Sequence, residues 1–459
     1  MSLMSAFIHK STLQLESATG RKLAMDPKKV INRLPRTLKN AMGLLIRYRI
    51  IYSKAFQKQY KELCKFELLP EEEKKRIQFG KLQDTLIYAY ENCPYYKLIF
   101  DDVGVNPYSV SSYEELTKIP LLTKDIIRSK CNQLQSSKEH KYYYATSGGT
   151  SGTPVRIAFD INSLYKERAF VYHYWSKFGY DYKRSKLLSF REASYDGRVF
   201  QKNNMYNELQ INPYLLDSIH IQEIVTVANS FGAEYLYGYP STIAPFCYLI
   251  NRNNLKLTQD ISAIFLISEN LYPDQIRQIR TVFQCPIVMF YGHTEKAVFA
   301  EQYDDVYYFN SLYGYVEITD EDESNIICTG FINKKMPLIR YKVDDKAVKR
   351  GAGYEIVGHR EKEYLYGHND YIVSATTLEF THEDAFSKIV GYQFVQDVVG
   401  IVTMNIKSEE NISNNELDEI MRIVSERLPF FTIDIKLVDQ LQLTSRGKHK
   451  MIIQKLAHS

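Results

Sequence analysis

The sequence predicts an α/β fold: a large N-terminal unit of mainly parallel sheets with flanking helices, followed by a smaller α+β unit. Three observations carry this reading. Between residues 234 and 292 short apolar runs alternate with helical stretches. Such alternation with apolar strands argues for a parallel sheet covered on both faces. Ahead of it stands Tyr144-Ala-Thr-Ser-Gly-Gly-Thr-Ser-Gly-Thr-Pro-Val155, rich in glycines and hydroxyls. Beyond residue 391 the pattern changes to two strands, a helix and a further strand. At 459 residues the chain is too long for one ordinary core.

Residues 1–65 hold 14 Lys/Arg and 3 Asp/Glu, a balance of +11, whereas the remaining chain carries −7. Such asymmetry points to an anionic partner. Leu38, Met42, Leu45 and Ile46 recur at roughly helical spacing, so this leader reads as a basic amphipathic helix. Two readings stand: a helix packed on the main unit, and a peripheral contact with an anionic membrane. Nucleic acid is disfavoured, because no reader motif accompanies the charge. No apolar run approaches the ~20 residues of a transmembrane span. The opening Met1-Ser-Leu-Met-Ser-Ala lacks the order of a signal peptide.

A helical pattern runs from Glu71 through Leu82, Leu86 and Tyr90 and stops at Asn92-Cys-Pro-Tyr-Tyr96. The six cysteines, Cys64, Cys93, Cys131, Cys247, Cys285 and Cys328, are widely spaced, without a C-x-x-C pair. That spacing fits neither a disulfide scaffold nor a zinc site, and reduced thiols in a cytoplasmic protein are expected. In the glycine–hydroxyl stretch, Gly148, Gly149 and Gly152 alternate with Ser147, Thr150, Ser151 and Thr153. Backbone N–H groups and short hydroxyls in such a run can cradle an anion; a flexible linker has similar composition. No Walker loop and no Gly-x-Gly-x-x-Gly is present.

Glu234-Tyr-Leu-Tyr237 is the first strand of the alternation, followed by a helix to about Leu249. Ile261–Ile267 is the second, with a helix after Pro273, and Pro286–Phe290 the third, ending at Tyr291-Gly292. Ligand sites in such sheets gather beyond the carboxyl ends of the strands. Ser268-Glu269 and Tyr291-Gly-His-Thr-Glu295 fall there. In the last unit, Ser413-Asn-Asn-Glu416 has the pattern of a capping box, and Thr432–Val438 reads as a strand.

Ser147-Gly-Gly-Thr-Ser-Gly-Thr-Pro154 resembles the phosphate loop T-S-G-[ST]-T-G-x-P of adenylate-forming enzymes. Its Gly-Gly-Thr-Ser-Gly form looks most like the CapK branch, related to phenylacetate-CoA ligase and coenzyme F390 synthetase. Asn92-Cys-Pro-Tyr-Tyr96 is similar to the opening of that branch. Tyr291-Gly-His-Thr-Glu295 resembles Y-G-x-T-E, and Ser268-Glu269 a G-G-E-type turn with Ser in place of Gly. Met336-Pro-Leu-Ile-Arg-Tyr-Lys-Val-Asp-Asp345 resembles P-L-I-R-Y-x-x-G-D, with Asp344 where glycine is usual. Gly358-His-Arg-Glu-Lys-Glu363 partly matches the hinge motif G-R-x-x-D, and Thr444-Ser-Arg-Gly-Lys448 resembles the terminal T-x-x-G-K.

The resemblance covers roughly residues 80–459 and implies a function and its residues. A large adenylation core at 66–358 would precede a small mobile lid at 359–459, with the leader at 1–65 outside both. A carboxylic acid would react with MgATP to give an acyl-adenylate and pyrophosphate, and a sugar, amine or thiol acceptor would take the acyl group and release AMP. Ser147, Gly148, Gly149, Thr150, Ser151 and Gly152 would cradle phosphate, and Ser268, Glu269, Tyr291 and Gly292 would flank the adenine. Thr294 would bond a phosphate, Glu295 hold magnesium, Asp345 the ribose, and Arg360 the ribose or phosphate. Lys448 would stabilise charge developing during adenylation. His293 falls at the variable position, and Arg340 is expected to structure its segment. The CapK branch implies surface-polysaccharide synthesis; the protein is expected in the cytoplasm, with the basic leader able to meet the inner face of the membrane. The alternatives are a CoA ligase using coenzyme A, an F390-type adenylyltransferase, and a membrane-associated protein with a degenerate fold.

Overall fold

The computed structural model describes residues 36–146, 155–191, 195, 197–269, 271–319, 324–357 and, with short gaps, 364–442 and 451–456. The chain opens with α1 (Arg36–Ile51) and α2 (Lys54–Phe66). Ser53 caps α2, its hydroxyl accepting from the Phe56 amide at 3.1 Å. Gly43 lies against Asn204 and Met205, where an added Cβ would meet the Met205 nitrogen at 3.1 Å. Ile50, Ile51 and Phe56 are buried, so the leader helix packs on the main unit. Its outer face differs from the expected pattern: Leu44, Leu45 and Tyr48 are exposed, as is Tyr52 just beyond the helix.

α3 (Glu71–Asn92) ends where Pro94 was expected to stop it. Pro94 is also the first residue of a new helix, α4 (Pro94–Asp102). Its missing N–H costs nothing at that position. Tyr96 in α4 is fully buried; its hydroxyl donates to the Pro337 carbonyl at 2.9 Å and accepts from the Ile339 amide at 3.1 Å. This tyrosine is therefore packing and support for the 336–345 segment. α5 (Lys124–Lys130) follows.

The strands β1 (Tyr142–Thr146) and β2 (Arg156–Asp160) form an antiparallel hairpin that brackets 147–154. Asp160 caps α6 (Ile161–Ser176), accepting from Ser163 N–H at 3.0 Å. The central sheet holds β3 (Leu187–Phe190), β4 (Phe200–Asn203), β5 (Glu208–Ile211), β6 (Tyr235–Gly238), β7 (Ala263–Leu266), β8 (Ile287–Gly292), β9 (Phe299–Tyr303), β10 (Val306–Phe309), β11 (Gly314–Ile318), β12 (Asn325–Gly330), β13 (Tyr341–Arg350) and β14 (Gly353–Val357). Their order is β11-β12-β13-β14-β10-β9-β8-β7-β6-β3-β5-β4. β5, β3, β6, β7 and β8 pair in parallel; β4 and the strands from β9 onward pair antiparallel.

Helices α7 (Ile221–Phe231), α8 (Pro240–Arg252) and α9 (Pro273–Arg280) make the connections among the parallel strands. One face of the block, with Leu188, Phe190, Leu236, Ile264 and Leu266, packs on α7 and α8. The other, with Leu187, Tyr235, Tyr237, Ala263 and Phe265, packs on α6, where Trp175 stacks on Phe265 at 4.3 Å. Both faces being covered explains the unbroken apolar runs. The carboxyl ends of β3 and β6 approach so closely that a Cβ on Gly238 would lie 2.5 Å from the Phe190 carbonyl oxygen.

The last part has its own core and its own sheets. β15 (Tyr364–Tyr366) pairs with β16 (Ile372–Ser374), and β17 (Ile389–Val398) and β18 (Ile401–Ser408) lie between β19 (Thr432–Leu437) and β20 (Ile452–Gln454). α10 (Asn414–Arg427) carries the expected capping box between Ser413 and Glu416. No described helix is long and apolar enough to cross a membrane.

Candidate active site

The site is built at the carboxyl ends of β7 and β8 and on β13. β8 delivers Tyr291 and Gly292, and the chain then turns through His293, Thr294 and Glu295 to Lys296, which sits at φ +54°. The Lys296 amide donates to the His293 carbonyl at 3.0 Å, closing the turn. Its buried ammonium pairs with Glu167 of α6. Glu295 is thereby fixed from its neighbour, buried at 6% exposure.

Although β8 and β13 are not adjacent, their side chains are cross-linked. The Tyr291 hydroxyl donates to Asp345 Oδ2 at 3.0 Å, and the Tyr341 hydroxyl donates to Glu295 Oε1 at 3.0 Å. Each segment thus supplies one tyrosine and one carboxylate, and each tyrosine bonds the other segment's carboxylate. Burial, followed by the adjacent carboxylate, pushes both phenols above the usual range, so both remain donors. Burial also works to raise the Glu295 carboxyl, but the His293 imidazole and a backbone N–H outweigh it and hold Glu295 at about 2. His293 Nδ1 lies 3.2 Å from Glu295 Oε2 without hydrogen-bond alignment, and both ring nitrogens are buried and unbonded.

Asp345 is half-buried and Thr294 exposed, while Asp344 pairs with Lys124 at 2.5 Å. Ser268 follows β7 at φ +64°, the left-handed region that favours glycine. Glu269 is buried and occupied: it accepts from the Ser241 amide at 3.0 Å and the Ser241 hydroxyl at 2.8 Å, at the N-terminus of α8. Arg340, at φ +50°, grips Glu317 through Nε and Nη2 and donates from Nη1 to the Thr117 and Ile119 carbonyls. It holds the segment in place, as expected.

The structure therefore brings together Tyr291, Gly292, Thr294, Glu295 and Asp345, with Ser268 and Glu269 at the end of the neighbouring parallel strand β7. Ser147, Gly148, Gly149, Thr150, Ser151, Gly152, Arg360 and Lys448 lie outside the described residues. Sequence reasoning missed Tyr341, although the motif containing it was recognised, and missed the Lys296–Glu167 pair. Among the described residues no group of three or more His, Cys, Asp or Glu is poised to hold a metal. All six cysteines are free, and burial pushes Cys93 up to about 12 and Cys328 well above its usual range, so neither is an ionised nucleophile.

Residues 365–455 match the CapK C-terminal domain. The chain is 23% identical over 452 residues to Protein CapK of Staphylococcus aureus, covering 93% of this chain and 99% of that protein. It is 30% identical over 95 residues to the phenylacetate-coenzyme A ligase of Escherichia coli, 20% of this chain and 22% of that one. The Thermus thermophilus phenylacetate-coenzyme A ligase is 29% identical over 100 residues, 21% of this chain and 22% of that one. Among solved structures, 2-hydroxyisobutyryl-CoA ligase in complex with 2-HIB-AMP and CoA in the thioesterification state superposes with a TM-score of 0.51. It is 15% identical and covers 84% of this chain and 91% of that one. The chain is thus similar to CapK along its length, resembles phenylacetate-CoA ligases over about a fifth, and has the fold of adenylate-forming ligases.

Proposed function

We propose that this chain is an ATP-dependent ligase that joins a carboxylic acid to AMP and then passes the acyl group to an acceptor. The observation that carries the reading is the reciprocal pair of tyrosine–carboxylate bonds between residues 291–295 and 341–345. It links the Glu295 and Asp345 carboxylates beside the end of parallel strand β8, and ligand sites in such sheets gather at those ends, which supports the reading. In this reading the acid's carboxylate attacks the α-phosphorus of ATP and pyrophosphate leaves.

The residues fit the nucleotide and its cation. Asp345 can accept two ribose hydroxyls side by side. Glu295 is a hard, ionised oxygen donor of the kind magnesium takes. A magnesium ion here would be held by that one carboxylate together with phosphate oxygens, and it would neutralise phosphate charge. Thr294, Ser268, Tyr291 and Gly292 line the same edge. Glu269, already engaged with Ser241, would act by holding the turn. The 147–152 loop would contact phosphate, Arg360 the ribose or phosphate, and Lys448 the developing charge between carboxylate and α-phosphate.

The similarity to CapK supports an acceptor in capsule or other surface-polysaccharide synthesis. We assign the protein to the cytoplasm, at the inner face of the membrane. The exposed Leu44, Leu45 and Tyr48 on the basic leader support a peripheral contact there. A CoA ligase is the second reading, favoured by the similarity to phenylacetate-CoA ligases. Product analysis with ATP, acid and acceptor separates them. The first reading expects AMP with an acylated sugar or amine and the second AMP with acyl-CoA, while an adenylylated product without free AMP would contradict both.

A further inference from the structure

Between α6 and the carboxyl ends of β3 and β6 lies a group of charges that adenylation does not use. Arg168 of α6 and Arg191, the residue after β3, both lie against the Tyr206 ring, their guanidinium carbons 4.5 and 5.5 Å from its centre. Arg168 also lies 5.4 Å from the Tyr172 ring and Arg191 5.2 Å from the Tyr237 ring. Arg191 donates to Glu208 Oε1 at 2.7 Å, while its Nε is buried without a hydrogen bond. Among the described residues Arg168 meets only aromatic rings.

Among the described residues Glu208, fully buried, is the one carboxylate in contact; its Oε1 also accepts from Asn203 and Gln210 at 2.7 and 2.9 Å, while its Oε2 is buried without a hydrogen bond. Among the described residues two guanidiniums therefore face a single anion. Aromatic faces offset part of the cost of a desolvated cation, but an anionic partner offsets far more. The surplus charge also sits on the ligand-binding edge of the sheet. β3 lies three strands from β8, roughly 14 Å at the usual spacing. Along α6 the two sites adjoin, because Glu167, next to Arg168, pairs with Lys296, next to Glu295.

We propose that Arg168 and Arg191 bind a second anionic group on the substrate acid, remote from the carboxylate that is activated. The substrate class is then an acid with two anionic groups, a dicarboxylate or a phosphorylated acid. This rests on the adenylation reading for the first carboxylate.

The test is calorimetric binding to the full chain without ATP, using three matched pairs: terephthalate and benzoate, adipate and hexanoate, 3-phosphoglycerate and glycerate. The wild-type chain is expected to prefer the more highly charged member of at least one pair by roughly tenfold or more, as a charge-assisted contact allows. The carboxylate and phosphate arms identify the group. Arg168→Gln should abolish the preference and Arg168→Lys restore part of it. Arg168 is the position to change because its removal orphans no carboxylate, whereas loss of Arg191 would leave the buried Glu208 carboxylate without a cation. An unaltered unfolding temperature checks that Arg168→Gln folds. Equal binding within every pair, or an undiminished preference in Arg168→Gln, overturns the proposal. A preference for the more highly charged member without ATP–pyrophosphate exchange would uphold the anion site and reject adenylation; exchange with the monoanions and no preference would do the reverse.

Discussion

Glu295→Gln is expected to lower the rate of adenylate formation by roughly 10²–10³-fold, the scale of losing one preorganised electrostatic contact in an active site. The substitution is close to isosteric, and glutamine can still accept the Tyr341 hydroxyl that lies 3.0 Å from Glu295 Oε1. What disappears is the negative charge proposed to hold magnesium. The loss should therefore appear in turnover with the unfolding temperature little changed, and a variant that keeps the wild-type rate would remove Glu295 from the site. The carboxyl also sets a pH expectation. It sits at about 2 in the folded chain and near 4.3 when unfolded. Its contribution to stability is full above the unfolded value and is lost as pH falls towards about 2. An activity limb between pH 5 and 7 would accordingly belong to another group, and Glu295→Gln should not move it.

Arg340→Met should destabilise the chain by about 3–5 kcal/mol, the range found when one partner of a buried ion pair is removed. Arg340 is buried at 8% exposure, and its fork on Glu317 spans Nε and Nη2 at 3.0 and 2.9 Å. Its remaining arm satisfies two carbonyls, Thr117 and Ile119. Methionine would fill the volume but leave Glu317 and both carbonyls without a donor. Lysine would keep the charge and lose the planar fork, so Arg340→Lys should fall between the two. Denaturant unfolding measures this directly, and an unchanged midpoint for Arg340→Met would contradict the assignment of Arg340 as the anchor of this segment.

The parallel half of the sheet was legible because burial on both faces forces apolar runs such as Ala263–Leu266, and those runs survive without an alignment. The antiparallel flank was not. β13 reads Tyr-Lys-Val-Asp-Asp-Lys-Ala-Val-Lys-Arg, buried only at Tyr341, Val343 and Ala347, and its pairing with β12 and β14 is fixed by the ladder rather than by hydrophobicity. In the sequence Pro94 signals a helix stop, and only the N-terminal position of α4 shows that it is also a start. In the site, strand-end placement and motif spelling pointed to Tyr291, Glu295 and Asp345. The crossed bonds linking them through Tyr341 join residues 54 and 46 apart, and nothing local announces them. Arg168 and Arg191 lie in stretches without motif character; their shared ring, Tyr206, becomes visible only in the folded chain.

The central claim, that this site activates a carboxylic acid with ATP, is tested most directly by ATP–pyrophosphate exchange across a panel of carboxylic and amino acids. The account predicts exchange that depends on a particular acid and falls to background in Lys448→Ala, with ATP binding retained in both proteins. Silence across the panel in a chain that binds ATP and folds normally, or exchange that is indifferent to Lys448, would contradict it.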